Sequence, residues 1–401
     1  GEDKMILIPL AEQLKKAGQL FEKGKPLEKL YPLYEATESF LLSSGATTKK
    51  APYVRDAVDL KRVMISVVIA LIPCILMGIY NVGYQIQTAK ALAPSFWGCV
   101  GPGMAKVLPI IFVVYAAGGF WEVLFAVVRR HEINEGFLVT GILFALTLPP
   151  TIPLWQAAVG ISFGVVFGKE IFGGTGMNVF NPALVARAFV FFAYPAQMSG
   201  SNVWVAVDGY TAATPLAVAA AASKGTSVVE ALAQQGYHFS NMLWGFIPGS
   251  IGETSAVACV MGLIFLLAAG VASWRTVAGC VLGLLAMSGV FYLIQGPDKL
   301  SFFGLPPYWH LVMGGFAFGS VFMATDPVSS SATNPGRWIY GSLIGALVVL
   351  IRVVNPAYPE GMMLAILFMN MFAPLIDYCV VEQHAKSRIK RIPQSAVRSL
   401  K

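Results

Sequence analysis

Charged residues are scarce in this 401-residue sequence: they make up 12% of it, whereas soluble globular domains contain about 25%. Histidine is also rare, with 4 residues and no HxxxH or HExxH spacing, which argues against a haem or zinc site. The 5 cysteines form no CxxC pair and lie mostly within apolar runs. We therefore expect no metal ligands, no disulfide framework and no iron–sulfur cluster held by this chain alone.

What the sequence does contain is apolar residues, at 56%, which predicts a protein embedded in a lipid bilayer. The net charge of +7 does not indicate a nucleic-acid partner, because basic residues in membrane proteins mark cytoplasmic loops. With the N-terminus inside, 22 of the 28 Lys and Arg residues, among them Lys169, fall on the cytoplasmic side. Another 5, among them Arg352, fall outside, and Arg187 lies within a helix. This asymmetry predicts cytoplasmic termini and an outer segment around Thr214.

Ten apolar stretches approach the roughly 20 residues that a helix needs to cross the hydrocarbon core. They cover approximately 63–82, 107–128, 136–149, 153–172, 182–197, 254–272, 276–294, 309–324, 338–352 and 360–380. Two of them, 136–149 and 309–324, are short and end in Pro-Pro or Asp-Pro. Short apolar segments interrupted in this way predict discontinuous helices beside a binding site.

Similar segments in the two halves of the chain indicate an internal repeat. Residues 144–149 (FALTLP) followed by Trp155 resemble residues 322–327 (FMATDP) followed by Trp338. With five spans per half, the second half enters the membrane in the opposite sense. The predicted fold is therefore an all-α polytopic membrane protein of about ten transmembrane helices in two inverted five-helix repeats. Chance similarity between apolar segments is the alternative.

This organisation divides the chain into five parts. They are a cytoplasmic N-terminal extension (1–62), a first repeat (63–197), a periplasmic segment (198–253), a second repeat (254–381) and a basic cytoplasmic tail (382–401). The extension has no small-residue cleavage site behind a charged start, so we do not expect a signal peptide.

The segment Asp208-Gly-Tyr-Thr-Ala-Ala-Thr214-Pro is the most conspicuous polar stretch between the apolar blocks. Asp208-Gly209 predicts a turn, and Pro215 is expected to stop that turn from continuing as a helix. Thr214 is then expected to be exposed. A plain surface loop explains the same residues equally well.

The segment 168–182 (GKEIFGGTGMNVFNP) is the richest polar run among the predicted spans. Its glycines let the backbone bend close to a ligand, and a helix restarting at Pro182 leaves free amide donors. A nucleotide phosphate loop is disfavoured, because neither the Gly-Lys-Ser/Thr sequence nor a βαβ context is present. A re-entrant glycine loop packed in the helix bundle is the simpler alternative.

Acidic residues occur at membrane depth in three apolar segments. Glu122 ends the sequence GGFWE (118–122), for which helix packing with an interfacial aromatic anchor is the alternative to a site. Burying a carboxylate at this depth in the membrane is energetically unfavourable, so such residues usually have a function. Asp326 and Asp377 offer oxygen ligands that suit a hard cation such as sodium, although Asp before Pro is also a common helix cap.

Three further charged residues are interpreted as structural. We expect Arg187 and Glu253 to be ion-paired or capping groups. Glu360 is expected to be a first-turn carboxylate at the N-terminus of the last helix.

Taken together and in order, these segments resemble one family. Asp208-Gly-x-Thr211-x-Ala213-Thr214 is similar to the flavinylation motif of the NqrB/RnfD family, which comprises the NqrB subunit of the sodium-pumping NADH:quinone reductase and the RnfD subunit of the Rnf complex. The resemblance extends over essentially the whole chain. It includes the segments 54–62, 118–122, 172–176, 181–184, 324–328 and 352–363.

The resemblance implies two flavins. It implies FMN joined through its phosphate to Thr214, with Asp208 and Thr211 recognised by a flavin transferase. It also implies a non-covalent riboflavin in the glycine-rich loop, whose ring the Asn side chains can hold because an amide both donates and accepts hydrogen bonds. The loop residues concerned are Gly174, Asn178 and Asn181.

The resemblance further implies a quinone site and a sodium path. The quinone pocket is expected at Gly118, Gly119, Phe120, Trp121 and Glu122. The residues expected to handle the cation are Glu122, Asp326 and Asp377. Electrons are expected to pass from FMN through riboflavin to ubiquinone, coupled to Na⁺ translocation, with no certain catalytic side chain.

The implied partners are the other subunits of such a complex in a bacterial inner membrane. They comprise a periplasmic FMN-carrying subunit, further membrane subunits and a cytoplasmic subunit that oxidises NADH with FAD and a 2Fe-2S cluster. This chain carries no dinucleotide fingerprint of its own. Two alternatives stay open: the role of the RnfD subunit, and a small-solute channel or carrier of inverted-repeat fold.

Overall fold

The computed structural model describes residues 60–129, 135–223, 225–296, 299–355 and 360–391. Within these ranges the protein is helical and contains no β-strand. Nine helices among the described residues have more than ten residues each. They are α1 (Leu60–Ala89), α2 (Phe96–Arg129), α3 (Gly136–Leu146), α4 (Leu154–Gly168), α5 (Pro182–Ala193), α6 (Ala256–Ala268), α7 (Trp274–Leu293), α8 (Asn334–Val354) and α9 (Met362–Arg391). Most of the predicted N-terminal extension lies outside the described residues.

Five of these helices, namely α1, α2, α7, α8 and α9, are long and apolar enough to cross a membrane. Between 28% and 44% of the most apolar stretch of each is buried inside the protein. The outward faces carry large apolar side chains such as Leu76, Phe112 and Leu293, as expected of a surface in contact with lipid. The chain is therefore a multi-pass membrane protein, whereas ten spans in an inverted repeat stay a prediction.

The last helix is longer than its apolar stretch. α9 begins at Met362 and continues to Arg391, beyond the apolar segment predicted at 360–380. The tail predicted from residue 382 thus starts as a continuation of this helix rather than as a separate segment.

The predicted break at 309–324 is confirmed. Helical turns cover Trp309–Val312 and Phe316–Phe318, and a π-helix follows at Gly319–Met323. Between the first two, Gly314 has a φ of +62°, a left-handed conformation that favours glycine. The backbone groups at this break cannot be satisfied within the helix itself.

Arg352 of α8 supplies the missing donors. Its guanidinium is fully buried and donates to the carbonyl oxygens of His310 and Met313, both at 2.8 Å. An unpaired carbonyl in a hydrocarbon environment costs several kcal/mol, so these bonds make the break tolerable. Arg352 is therefore a buried internal donor, and its position on the outer side of the membrane stays a prediction.

α3 has only 11 residues, and its C-terminal end is held from two directions. Arg187 of α5 donates to the carbonyl oxygen of Thr147. The amides of Ile251 and Gly252 donate to the carbonyls of Leu148 at 3.1 Å and Leu146 at 2.7 Å. The segment before α6 thus enters the core and completes the hydrogen bonds of the short helix.

α7 and α8 approach closely through two GxxxG sequences. Gly279 and Gly283 lie on α7, and Gly341 and Gly345 lie on α8. A Cβ atom added to Gly283 or Gly345 would overlap a main-chain carbonyl oxygen of the other helix. Small residues at such positions let two helix backbones pack directly against each other.

Replacing Gly283 with leucine is expected to force these helices apart. Overpacking of this kind costs about 1–3 kcal/mol or more, since backbone rather than a flexible side chain must move. The measurement is the unfolding temperature of the detergent-purified protein. Gly289→Leu is the matched control, because Gly289 lies on the same helix with no atom within 4 Å of an added Cβ. Equal unfolding temperatures for the two variants would contradict the packing described here.

Candidate functional site

The Thr214 loop begins with the predicted turn. Residues 208 and 209 form a turn in which Gly209 has a φ of +74°. Asp208 and Thr211 are both exposed, so their side chains are accessible to another protein. The amide of Ala212 donates to the carbonyl of Ser201 at 2.8 Å and returns the chain to the protein surface.

Thr214 is half-buried rather than exposed, and it caps a helix. Pro215 is the first residue of the helix Pro215–Ala221, and the Thr214 hydroxyl accepts a hydrogen bond from the amide of Ala217 at 3.2 Å. The turn at Asp208-Gly209 does not continue as a helix, as predicted, and a separate helix begins at Pro215 because proline is favourable at the first helical position. The cap holds the threonine oxygen in one orientation.

Tyr237 fixes the residue before Thr214. Its hydroxyl donates to the carbonyl of Ala213 at 2.6 Å. Burial raises the pKa of Tyr237 from 10.0 to about 12, so the hydroxyl remains protonated and able to donate at physiological pH. Sequence reasoning missed this contact, because the two residues are far apart in the chain and no motif links them.

A cavity of about 510 Å³ opens beside Thr214. This volume lies within the range of roughly 300–1,000 Å³ that is usual for organic ligands. The walls combine apolar and aromatic side chains with a few charged groups. They include Phe191, Met198, Trp204, Leu216, Arg187 and Glu253. The cavity, called the outer cavity here, is large enough for an organic ligand.

The charged wall of the outer cavity is an ion pair. Arg187 Nη1 lies 3.1 Å from Glu253 Oε1, and both side chains are buried, which confirms that these residues pair. Glu360 also lines the cavity and accepts a hydrogen bond from the amide of Gly315 at 2.6 Å. Glu360 precedes α9 by two residues, so its carboxylate serves the broken 309–323 segment instead of the first turn of its own helix.

The glycine-rich segment forms a tight loop between α4 and α5. Gly173, Gly174 and Gly176 have φ values of +117°, +98° and +90°, which only glycine adopts readily. Asn181 then caps α5, accepting hydrogen bonds from the amides of residues 183 and 184 at 3.0 Å and 3.4 Å. Asn178 is buried and donates to the carbonyl of residue 180 at 2.8 Å.

A second cavity, called the inner cavity here, lies against this loop. Its volume is about 80 Å³, and its lining includes Asn178, Asn181 and Asp326. This space is too small for an isoalloxazine ring and fits a few water molecules or a small cation. The structure therefore brings two of the predicted flavin ligands together with a predicted cation ligand.

Asp326 joins the two halves of the chain. Its carboxylate accepts from the Ser329 hydroxyl at 2.7 Å and the Val328 amide at 3.1 Å, and Asn181 Nδ2 donates to it at 3.4 Å. The alternative of a helix cap is not observed, since α8 begins only at Asn334 with Thr333 as its cap.

Asp377 of α9 holds the neighbouring loop. It accepts hydrogen bonds from the hydroxyl groups of Ser331 and Thr333 and from the amides of Ala332 and Thr333, at 2.6–3.0 Å. These bonds tie α9 to the segment that links Asp326 with α8.

The GGFWE residues on α2 point in different directions. A Cβ on Gly118 would contact the Phe137 ring of α3, whereas Phe120 is 61% exposed and Glu122 is buried. Consecutive helical residues do not share a face, so these five residues cannot all line one pocket. Only the residues on the outward face of α2, such as Phe120, are accessible to a ligand that comes from the lipid.

Glu122 is paired with a lysine that sequence reasoning assigned to a cytoplasmic loop. Lys169 Nζ lies 2.5 Å from Glu122 Oε1 and 3.6 Å from Glu170 Oε1, and all three side chains are buried. Lys169 also lines the inner cavity. The end of α2 and the glycine-rich loop, predicted as separate sites, are therefore joined by one ammonium group.

The fold and these sites define the class of protein. It is a multi-pass helical membrane protein whose broken helices and buried charges face cavities within the bundle, as in proteins that move ions. The profile of the NQR2, RnfD, RnfE family matches residues 47–386, and the chain belongs to that family.

Curated relatives match the chain over nearly its full length. The NqrB subunit of the Na(+)-translocating NADH-quinone reductase of Pseudomonas paraeruginosa is 52% identical over 405 residues, covering 95% of this chain and 99% of the relative. The proteins of the same name from Stutzerimonas stutzeri and Chromohalobacter salexigens are 53% and 52% identical, each covering 92% of this chain and 96% and 94% of the relative.

Replacing Asn181 separates its two roles. Asn181→Ala removes both the cap of α5 and the bond to Asp326, whereas Asn181→Ser keeps a capping oxygen and loses only the amide donor. Loss of a cap costs about 0.5–2 kcal/mol, so the alanine variant is expected to unfold at a lower temperature than the serine variant. The unfolding temperatures of the purified proteins test this, and equal values would mean that the cap contributes nothing.

Proposed function

We propose that this chain is a membrane subunit of a Na⁺-translocating NADH:quinone reductase. Relatives of that name match 92–95% of the chain at 52–53% identity, which supports the same role here. The multi-pass helical fold and the buried charges beside two cavities are consistent with ion-coupled electron transfer. NADH oxidation falls to a partner subunit, because the chain has no dinucleotide fingerprint.

The observation that carries the proposal furthest is the setting of Thr214. Thr214 lines a cavity of about 510 Å³, and the adjoining motif residues Asp208 and Thr211 are exposed. A flavin transferase can reach such a loop, and the residues present fit FMN attached through its phosphate. The bound flavin would supply one-electron and two-electron chemistry, while the protein orients the ring and excludes water.

Riboflavin at Asn178 and Asn181 stays a prediction. The inner cavity of about 80 Å³ is too small for the ring in this conformation, so binding there requires the loop at 173–176 to open. Glu122 and Asp326 are proposed to handle the cation, with Asp377 acting through the 331–333 loop. Quinone contact is proposed for the outward side of α2, at Gly119 and Phe120.

Two alternative functions predict different bound cofactors. The role of an RnfD subunit belongs to the same family and would keep the covalent flavin but not the quinone chemistry. A small-solute carrier would be colourless. Orientation follows from the proposal: Thr214 lies on the periplasmic side of a bacterial inner membrane, opposite cytoplasmic termini, beside the partner subunits that the resemblance implies.

Replacing Thr214 with alanine is expected to abolish covalent flavin. The measurement is the fluorescence of the denatured polypeptide on a gel under ultraviolet light, after production together with its flavin transferase. Thr226→Ala is the control, because Thr226 is an exposed threonine of the same outer segment. A fluorescent Thr214→Ala band would refute the attachment site, and a colourless wild-type complex would favour the carrier.

Replacing Tyr237 with phenylalanine is expected to reduce the flavinylated fraction without abolishing it. The variant loses only the hydrogen bond to the Ala213 carbonyl, and a bond of this kind contributes about 0.5–1.5 kcal/mol. The ratio of gel fluorescence to protein stain measures the effect. Tyr292→Phe serves as a control, since Tyr292 lies on α7 outside this loop. An unchanged ratio would mean that the hydrogen bond from Tyr237 to the Ala213 carbonyl does not position Thr214.

A further inference from the structure

A network of four charges, three of them buried and the fourth, Arg129, exposed, lies where α2 and α4 end. Lys169 contacts Glu122 at 2.5 Å and Glu170 at 3.6 Å, and Arg129 contacts Glu170 at 3.5 Å. The side chains of Lys169, Glu122 and Glu170 are all at most 4% exposed. A lysine at this depth is held by its partners, because an uncompensated ammonium is strongly disfavoured away from water.

The same lysine reaches the inner cavity. Lys169 lines that space together with Asn181 and Asp326. Thr175 lines it too, and the Thr175 hydroxyl oxygen is buried without a hydrogen-bond partner in the part of the chain that the structure describes. Lys169 therefore contacts Glu122 and also borders a small, mainly apolar cavity whose few polar lining residues include Thr175 and Asp326.

A lysine ammonium and a sodium ion make similar demands on this site. Both carry one positive charge, and both are stabilised by carboxylate, hydroxyl and carbonyl oxygens. A carboxylate oxygen already 2.5 Å from an ammonium nitrogen cannot also bind a free cation without bringing two like charges into contact. Lys169 and Na⁺ thus compete for this oxygen of Glu122.

We propose that Lys169 is a tethered competitor of the transported cation at Glu122. The cation binds Glu122 when the ammonium moves toward the inner cavity and Asp326, and it is released when the ammonium returns. Lys169 is in this sense a residue that sets cation affinity and selectivity. The inference rests on the proposed role of Glu122 in cation handling.

A purely structural role for Lys169 predicts a different experimental result. If the lysine only neutralises Glu122 during folding, its loss lowers the amount of assembled complex and leaves the cation dependence of the assembled fraction unchanged. Competition instead changes the cation dependence of every assembled molecule. The half-saturating Na⁺ concentration therefore separates the two roles.

The experiment measures NADH-dependent quinone reduction by the purified complex as Na⁺ is varied, with K⁺ and Li⁺ as comparison cations. Lys169→Met removes the competitor and is expected to lower the half-saturating Na⁺ concentration by about fivefold or more, the lower end of typical coupling between sites. Lys169→Arg keeps the charge and can bind Glu122 through two parallel hydrogen bonds. It is therefore expected to raise the half-saturating concentration.

The control variants show whether the proposed role of Glu122 or only the competitor role of Lys169 is wrong. Lys386→Met removes an exposed lysine from a surface pair on α9 and is expected to leave the Na⁺ dependence unchanged. If Glu122→Gln has no effect on half-saturation, the proposed role of Glu122 is wrong. If Glu122→Gln shifts half-saturation but both Lys169 variants match the wild type, the competitor role alone is overturned. Should Lys169→Met fail to assemble, Lys169→Arg decides, and an unchanged value refutes the inference.

Discussion

Backbone carbonyls at interrupted helices must find donors inside the protein, because lipid offers none. Two buried arginines meet this requirement. Arg352 donates to His310 and Met313 at the break in the 309–323 segment, and Arg187 donates to Thr147 where α3 ends. An arginine has five donors in a rigid fork and can serve several carbonyls at once, which a lysine cannot do in the same geometry. The interrupted helices, and hence both cavities, depend on these contacts.

α5 connects the two cavities. Its cap, Asn181, lines the inner cavity, whereas Arg187 and Phe191 line the outer one. The helix has 12 residues and is therefore about 18 Å long. One continuous helix thus carries both Asn181, which bonds to Asp326, and Arg187, which pairs with Glu253.

The sequence was most informative where a local pattern has one physical meaning. Long apolar runs predicted the helices, Gly and Pro predicted the break at 309–324, and Asp208-Gly209 predicted its turn. Charge patterns were less reliable, because a long side chain can leave a loop position and turn into the core. Lys169, which follows α4, does so, and Arg352 does the same from the last turn of α8. The GxxxG sequences of α7 and α8 are local patterns too, whereas the hydrogen bond from Tyr237 to the Ala213 carbonyl depends on tertiary structure alone.

The electrostatic interaction between charges at the two cavities is weak. Ion-paired acids and bases stand beside each of them: Glu122 and Glu170 with Lys169 and Arg129 near one, and Glu253 with Arg187 near the other. An electron at one end of α5 and a cation at the other would attract by roughly 1 kcal/mol at about 18 Å and an effective dielectric constant of about 20. That is less than a tenfold change in cation affinity. Electrostatic attraction between the two ends of α5 alone is therefore too weak to couple the proposed electron and cation sites strongly.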